Sequence, residues 1–440
     1  MKRLIPLLSL IFISSLVFAG GIVTNTNQSA EFIRMLNRNA STDIDAVYYN
    51  PAAVAGFSEG LYFYASNQSV FQTRTVTSAN STFNENTFEG KTTAPVFPNI
   101  YVAYNMGGLA VSGGIMPIGG GGSAEYPDGL PAFEYTLANL ARGIPASSLD
   151  QQLSPYGTIN GYSLEAKFTG SSIYLGGQGN VSYQVLDYLS VAAGIRYVYA
   201  SNTYEGYLRD LTLYTSQNPN GSPPGTIAAA QAGALLADKE VDAARTGSGI
   251  AGILSAQFRP IDNANISFRY ETITKLEMTN DTETDDVGLF PDGAKVQSDM
   301  PALIAVGVGY QVNSKLHTEA SFTYYLNSGV DWEGDEQYVN NGFEAGLGVE
   351  YQVNDAITAS IGGLTSQSGA TESYQSDLSY SLNSTSLGLG LEYALSEVIA
   401  LSVGYSKTFY EDGQNDKSGN FAETYGKTSD VIALGFGYDL

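Results

Sequence analysis

The sequence predicts an all-β fold, a transmembrane antiparallel β-barrel of about fourteen strands. Three observations carry this expectation. Apolar and polar residues alternate with period 2 along most of the chain. The connections between alternating segments are short and long in turn. The composition is poor in charge and rich in Gly and Tyr. In LHTEASFTYYL, Leu316, Thr318, Ala320, Phe322, Tyr324 and Leu326 share one face, and His317, Glu319, Ser321, Thr323 and Tyr325 the other. FEAGLGVEYQV sets Phe343, Leu347, Val349, Tyr351 and Val353 against Glu344, Gly346, Gly348, Glu350 and Gln352. The last segment sets Ile432, Leu434, Phe436, Tyr438 and Leu440 against Ala433, Gly435, Gly437 and Asp439. Side chains of a strand point to opposite faces in turn, so each segment has one apolar and one polar face. The polar face is largely Gly, Ala and Ser rather than the Lys/Glu-rich face of a soluble sandwich, and short turns on one side with long loops on the other are expected of an outer-membrane barrel.

The elements follow in order. Residues 1–19 read as a signal peptide: Lys2 and Arg3, an apolar run from Leu4 to Phe18, and a small-residue cleavage pattern ending at Ala19. Residues 20–58 fit neither the strand nor the helix period. Strands are expected at 60–74, 98–105, 108–118, 170–186, 188–204, 246–259, 264–276, 300–312, 315–326, 341–353, 356–367, 382–394, 397–410 and 427–440. The count is even, as single-chain bacterial barrels require. Two long extracellular loops, about 123–158 and 226–245, read as partly helical. The first carries a rough apolar stripe of Leu130, Phe133, Leu137, Leu140, Ile144 and Leu149. Ala-rich Ile227–Arg245 carries Leu235, Leu236 and Val241. Such stripes either pack on each other and the barrel rim or line a ligand groove.

Composition narrows the function. Charged residues make up 15% of the chain, against about 25% in a typical soluble protein. The net charge of −24 disfavours nucleic acid and polybasic contacts with anionic lipid. There is no Cys and one His, so neither disulfides nor a His-rich metal site is expected. Acidic NDTETDDVGLFPDG, Asn280 to Gly293, lacks the calcium-loop pattern and reads as a solvated loop. GGGG at Gly119–Gly122 fits no phosphate-binding fingerprint. No metal, cofactor or enzymatic activity is expected.

The segment NQSAEFIRMLNRNASTDIDAVYYNPAAVAGF, Asn27 to Phe57, resembles the N-terminal hatch of the outer-membrane long-chain fatty acid and hydrocarbon transporters, the FadL/TodX-like family. Gln28-Ser29, then Asp43 and Asp45, then Asn50-Pro51-Ala52 carry the likeness; Ala53 stands where the family often has Gly. FPNIYVAYNMGGLAVSGGIMPIGGGG (Phe97–Gly122) and MPALIAVGVGYQVNSKLHTEASFTYY (Met300–Tyr325) look like its strand pairs. The resemblance implies a hatch at 20–58 plugging the lumen of a barrel at 59–440, in the bacterial outer membrane. It implies uptake of a hydrophobic small molecule by a monomer: capture at an external groove, then lateral release into outer-membrane lipid. In the family a kink in the third strand makes the lateral opening, which here falls on Pro117, Gly119, Gly120, Gly121 and Gly122. Pro51 fixes φ and biases Asn50 away from helix, so the pair should end a hatch helix and turn the chain toward the first strand.

Period 2 places Arg196, Arg259 and Arg269 inward, as candidates for a ligand carboxylate. Glu271, Glu319, Glu344, Glu350 and Glu392 are inward by the same count, so the arginines equally suit a structural network. Two other readings stay in view. A general diffusion porin would need an open bore. A barrel hydrolase would need Ser and His at the lipid-facing rim, whereas His317 points inward beside Glu319.

Overall fold

The computed structural model describes residues 22, 28–143, 158–217, 225–228, 236–415 and 422–440. The expected signal peptide lies outside them. Fourteen long strands form one closed antiparallel barrel. They are β1 (Gly60–Ser78), β2 (Thr87–Asn105), β3 (Leu109–Tyr126), β4 (Thr158–Leu186), β5 (Leu189–Gln217), β6 (Lys239–Ile261), β7 (Ala264–Glu271), β8 (Ala302–Asn313), β9 (Leu316–Leu326), β10 (Gly342–Gln352), β11 (Ile357–Gln367), β12 (Ser384–Ala394), β13 (Ile399–Tyr410) and β14 (Glu423–Asp439). Each pairs with the next, and β14 closes on β1 from Tyr62↔Asp439 to Ser78↔Glu423. Closure leaves no sheet edge, which lipid could not satisfy.

The outer face is apolar: Leu347, Ile361 and Leu434 are 60%, 61% and 62% exposed. Short turns follow β2, β4, β6, β8, β10 and β12, at the end where Gly60 and Asp439 lie. Exposed Tyr104, Tyr183, Tyr188, Tyr310, Tyr351 and Tyr393 sit within a few residues of those turns. That ring is the aromatic girdle of one membrane interface.

At the opposite end the strands run far beyond membrane thickness. β4 and β5 have 29 residues each, where about ten suffice to span. The expected loop at Thr75–Pro98 is mostly the outer half of β1 and β2, whose ladder runs to Thr77↔Thr87. The described ends of 226–245 are strand rather than the expected helix. Gly225–Ala228 is a short strand on β5, and β6 begins at Lys239, pairing with Leu208; 229–235 lie outside the described residues. Alternating Val241, Ala243 and Arg245 against Glu240 and Asp242 suits the ladder, and pairing overrides the helix propensity of Ala243 and Ala244. The expected strand 264–276 stops at Glu271; Glu277–Asp285 resumes pairing with β6.

The N-terminal segment fills the bore. Helix α1 (Ala30–Met35) is capped by Ser29, whose Oγ accepts from Phe32 N at 3.1 Å. α2 (Ala46–Tyr49) ends at Asn50, and Pro51 opens a 3₁₀ turn to Gly56 that delivers the chain to β1. The inward polar residues of the wall bond this segment's backbone on all sides. Gln178 and Asn180 donate to Val47 O at 2.8 and 3.0 Å, and Ser182 to Pro51 O at 2.7 Å. Asn265 donates to Ala40 O at 2.7 Å, Asn105 to Val54 O at 2.8 Å, and Ala40 N donates to Glu319 at 2.6 Å. Asn50 Nδ2 reaches Ser41 O at 3.1 Å and Gln257 Oε1 at 2.7 Å.

The inward glycines have a second use. A Cβ on Gly362 would collide with Met35 O, on Gly388 with Ile33 O, and on Gly404 with Arg34 N. They let α1 lie flat on β11–β13.

Two buried arginines lock the segment. Arg38 donates to Asp45 at 2.7 and 2.9 Å and to Asp43. Arg34 pairs with Glu31 at 2.6 Å, Glu392 at 3.1 Å and Glu350. Removing one partner of a buried pair leaves a lone charge and costs about 3–5 kcal/mol. Arg38→Ala is therefore expected to destabilise the plug by about that much, read as faster hydrogen exchange in α1 and α2 with the barrel's melting unchanged. Gly362→Val should displace α1 and expose 36–45 to limited proteolysis; wild-type resistance would contradict this packing.

Candidate functional site

The site is the space between the plug, the outer loops and one break in the wall. Above the plug two of the three sequence-predicted arginines are already committed. Arg196, fully buried, donates to Glu271 at 2.6 and 2.9 Å and to Gln178 at 3.0 and 2.6 Å. Arg269 pairs with Glu271 at 3.2 Å and donates to Tyr48 O. Both guanidinium groups lie over the Tyr48 ring, at 4.7 and 4.9 Å. They hold α2 in place. A cavity of about 30 Å³ remains between plug and wall at Phe32, Tyr49 and Tyr325, room for a single water.

The break lies between β2 and β3. Their ladder runs Lys91↔Glu125 and Thr92↔Ala124, stops, and resumes at Ile100↔Ile115. Residues 93–99 and 116–123 are unpaired with each other, although β2 stays on β1 and β3 on β4. β3 is irregular at Pro117/Gly119 and Gly120/Gly122, and Met116, Pro117 and Ile118 are buried in succession, so its alternation is lost there. Gly120 (φ 91°) and Gly122 (φ 75°) take left-handed backbone that other residues resist. Around Gly121 a Cβ would meet only Gln72 Oε1, at 4.0 Å. Pro95, Pro98 and Pro117 line the two edges. Proline has no N–H, so the break exposes fewer unmet donors than other residues would.

Over the extracellular mouth an apolar cluster joins Val76, Phe83 and Phe88 to Leu137 and Leu140 of α3 (Tyr135–Ala141), Ile159, Leu213 and Tyr380, with Phe133 packed against it. Leu130 is buried ahead of α3. The Leu130–Leu140 stripe thus packs on the rim; Ile144 and Leu149 lie outside the described residues. Tyr162 and Asn84 N donate to Glu134, at 2.6 and 2.8 Å, tying this loop down. Burial pushes the Glu134 carboxyl above its usual range.

Beneath the cluster are two residues that period counting passed over because the expected strands ended at 74 and began at 427. Arg74 and Lys427 are cross-strand neighbours. Arg74 lies 4.2 Å over the Tyr380 ring and Lys427 4.8 Å over the Tyr410 ring. Neither makes an ion pair among the described residues.

The third predicted arginine is elsewhere. Arg259 lines a vestibule of about 640 Å³ on the short-turn side of the plug, with Glu31, Asp43, His317, Glu392 and Asp439. Its Nη2 donates to Asp187 O at 3.2 Å. Of the plug residues, Ser29 caps α1, Asn50 and Pro51 join α2 to the 3₁₀ turn, and Ala52 N donates to Ser255 at 3.3 Å; Gln28 is half-buried before the cap.

The outer membrane protein beta-barrel domain family matches residues 287–439. No curated protein matches the sequence. Among solved structures the chain is similar to a Pseudomonas aeruginosa FadL homologue, at 15% identity over 96% of this chain and 99% of that one, TM-score 0.67. It is also similar to the P. putida toluene transporter TodX, at 15% over 91% and 95%, TM-score 0.57. The Ralstonia pickettii toluene transporter TbuX matches at 19% over 89% and 93%, TM-score 0.54. At these identities the likeness is one of fold, and the chain is a closed fourteen-strand outer-membrane β-barrel of the same architecture as these proteins.

Proposed function

We propose that this chain moves hydrophobic small molecules across the outer membrane by capture at the extracellular apolar cluster and lateral release into the bilayer between β2 and β3. The observation that carries this reading is the pairing of a stoppered bore with a broken wall ladder at Pro117–Gly122. A porin needs an open bore, and here backbone bonds from the wall hold the plug. An apolar ligand favours the sideways route: exposing it to water costs about 0.8 kcal/mol per CH₂, so a chain of about sixteen methylenes faces on the order of 10 kcal/mol at full exposure. A path from apolar cluster to lipid avoids that exposure.

The cation pair bears on the ligand's polar end. The inward Glu271, Glu350 and Glu392 are taken by Arg196, Arg269 and Arg34, while Arg74 and Lys427 stand together under the cluster with aromatic rings as their neighbours. Arg74 beside Lys427, with no ion-pair partner among the described residues, suits a carboxylate. We infer that the ligands include long-chain acids as well as neutral hydrocarbons.

Gly121→Trp is expected to lower cellular uptake of a labelled long-chain acid at least about tenfold, with an inserted, heat-modifiable barrel, because the space open beside Gly121 would be filled by the side chain. Unchanged uptake would refute lateral release. Replacing both Arg74 and Lys427 by Met should weaken acid binding by about tenfold or more while leaving toluene binding within about twofold; equal loss for both ligands would contradict a carboxylate role.

A further inference from the structure

The lumen side of the break holds polar groups that passage of a hydrocarbon would not use. Gln68 on β1 is wholly buried, and neither its Oε1 nor its Nε2 has a partner. Asn99 on β2, 1% exposed, accepts from Ser66 Oγ at 2.7 Å and leaves Nδ2 unpaired. The register sets Ser66 opposite Asn99 and Gln68 opposite Phe97, and both β2 residues belong to the stretch 93–99 that has left β3. Ser66 also accepts from Ala30 N, at the start of α1. The unpaired amides therefore sit just above the plug, on the inner lip of the break.

The outer lip is different. There Asn67 Nδ2 and Ser69 Oγ donate to Pro95 O at 3.1 and 2.9 Å, and Phe97 N donates to Asn67 Oδ1 at 2.9 Å. The bulge on the lipid side meets its own polar groups. The unmet ones are confined to the inside, and buried amides are ordinarily bonded.

We propose that Gln68 and Asn99 form a head-group subsite at the exit, one that takes an un-ionised hydrogen-bonding group and fits the protonated carboxyl of a long-chain acid. This rests on the transport reading above. The bonding sets match. Gln68 Nε2 and Asn99 Nδ2 are donors for the carbonyl oxygen of the acid, and Gln68 Oε1 is an acceptor for its O–H. A carboxylate has no proton for Oε1 and would set like partial charges together. A hydrocarbon would leave all three atoms unmet. Removal from water disfavours the ionised acid, so an acid leaving the Arg74–Lys427 pair for this lip takes a proton from water and enters the bilayer neutral.

The test uses the full-length protein in detergent at pH 7.5, with palmitic acid carrying ¹³C at the carboxyl and with methyl palmitate, which has no O–H. In wild type a bound population should show the carbonyl shift of the protonated acid. Gln68→Leu, which removes both unpaired atoms and should not lower the melting temperature, is expected to abolish that signal. It should also cut the preference for acid over ester about tenfold. Asn99→Val should weaken the same signal. If bound acid is wholly ionised in wild type, or if the protonated signal survives Gln68→Leu because water alone occupies the site, the subsite is wrong while ester binding leaves the transport reading standing. Failure of both probes to bind would overturn both.

Discussion

A backbone segment at membrane depth must find a partner for every donor and acceptor it carries, and the N-terminal plug meets that demand from the barrel wall. Gln178, Asn180, Ser182, Asn265, Asn105 and Glu319 reach it from four strands, β2, β4, β7 and β9, and each bonds a plug backbone atom. The rest of the structure follows from this. The wall's inner face must be polar enough to bond the plug and, at β11–β13, bare enough to let α1 touch the sheet. Glycine on one side of the bore and Ser, Asn and Gln on the other satisfy both needs.

A filled bore changes what the wall must do. The space under the outer loops is floored by the plug, in which Arg34 of α1 and Arg38 beyond it are enclosed by Glu31, Glu350 and Asp45. The interrupted β2–β3 ladder lies beside the top of the plug, and its edges are built from residues that tolerate lost pairing: three prolines with no N–H and glycines in left-handed backbone. The plug that closes the bore and the interruption of the β2–β3 ladder are neighbours in one arrangement.

The architecture was legible because lipid imposes a period-2 signal wherever one face is greasy. Leu347, Ile361 and Leu434 announce their orientation, and the strand count follows. Beyond the membrane that signal fades, since both faces are wet. This is why β1, β2, β4, β5 and β6 run longer than their alternation suggested. The site was legible in part. The family resemblance pointed to Pro117–Gly122, where β3 is irregular and its ladder to β2 is interrupted. Arg196 and Arg269 could be placed inward, but their sharing of Glu271 depends on strands 75 residues apart in one case, which no local pattern reveals. Arg74 and Lys427 were missed because both sit at strand ends where alternation was weak. Gln68 carried no signal at all, being one inward polar residue among many.

Ion conductance of the wild-type protein in a planar lipid bilayer tests the central claim most directly. A plug bonded all round the bore predicts no steady conductance of porin size at neutral pH and moderate salt. A large, ohmic, always-open channel from the intact chain would contradict the account.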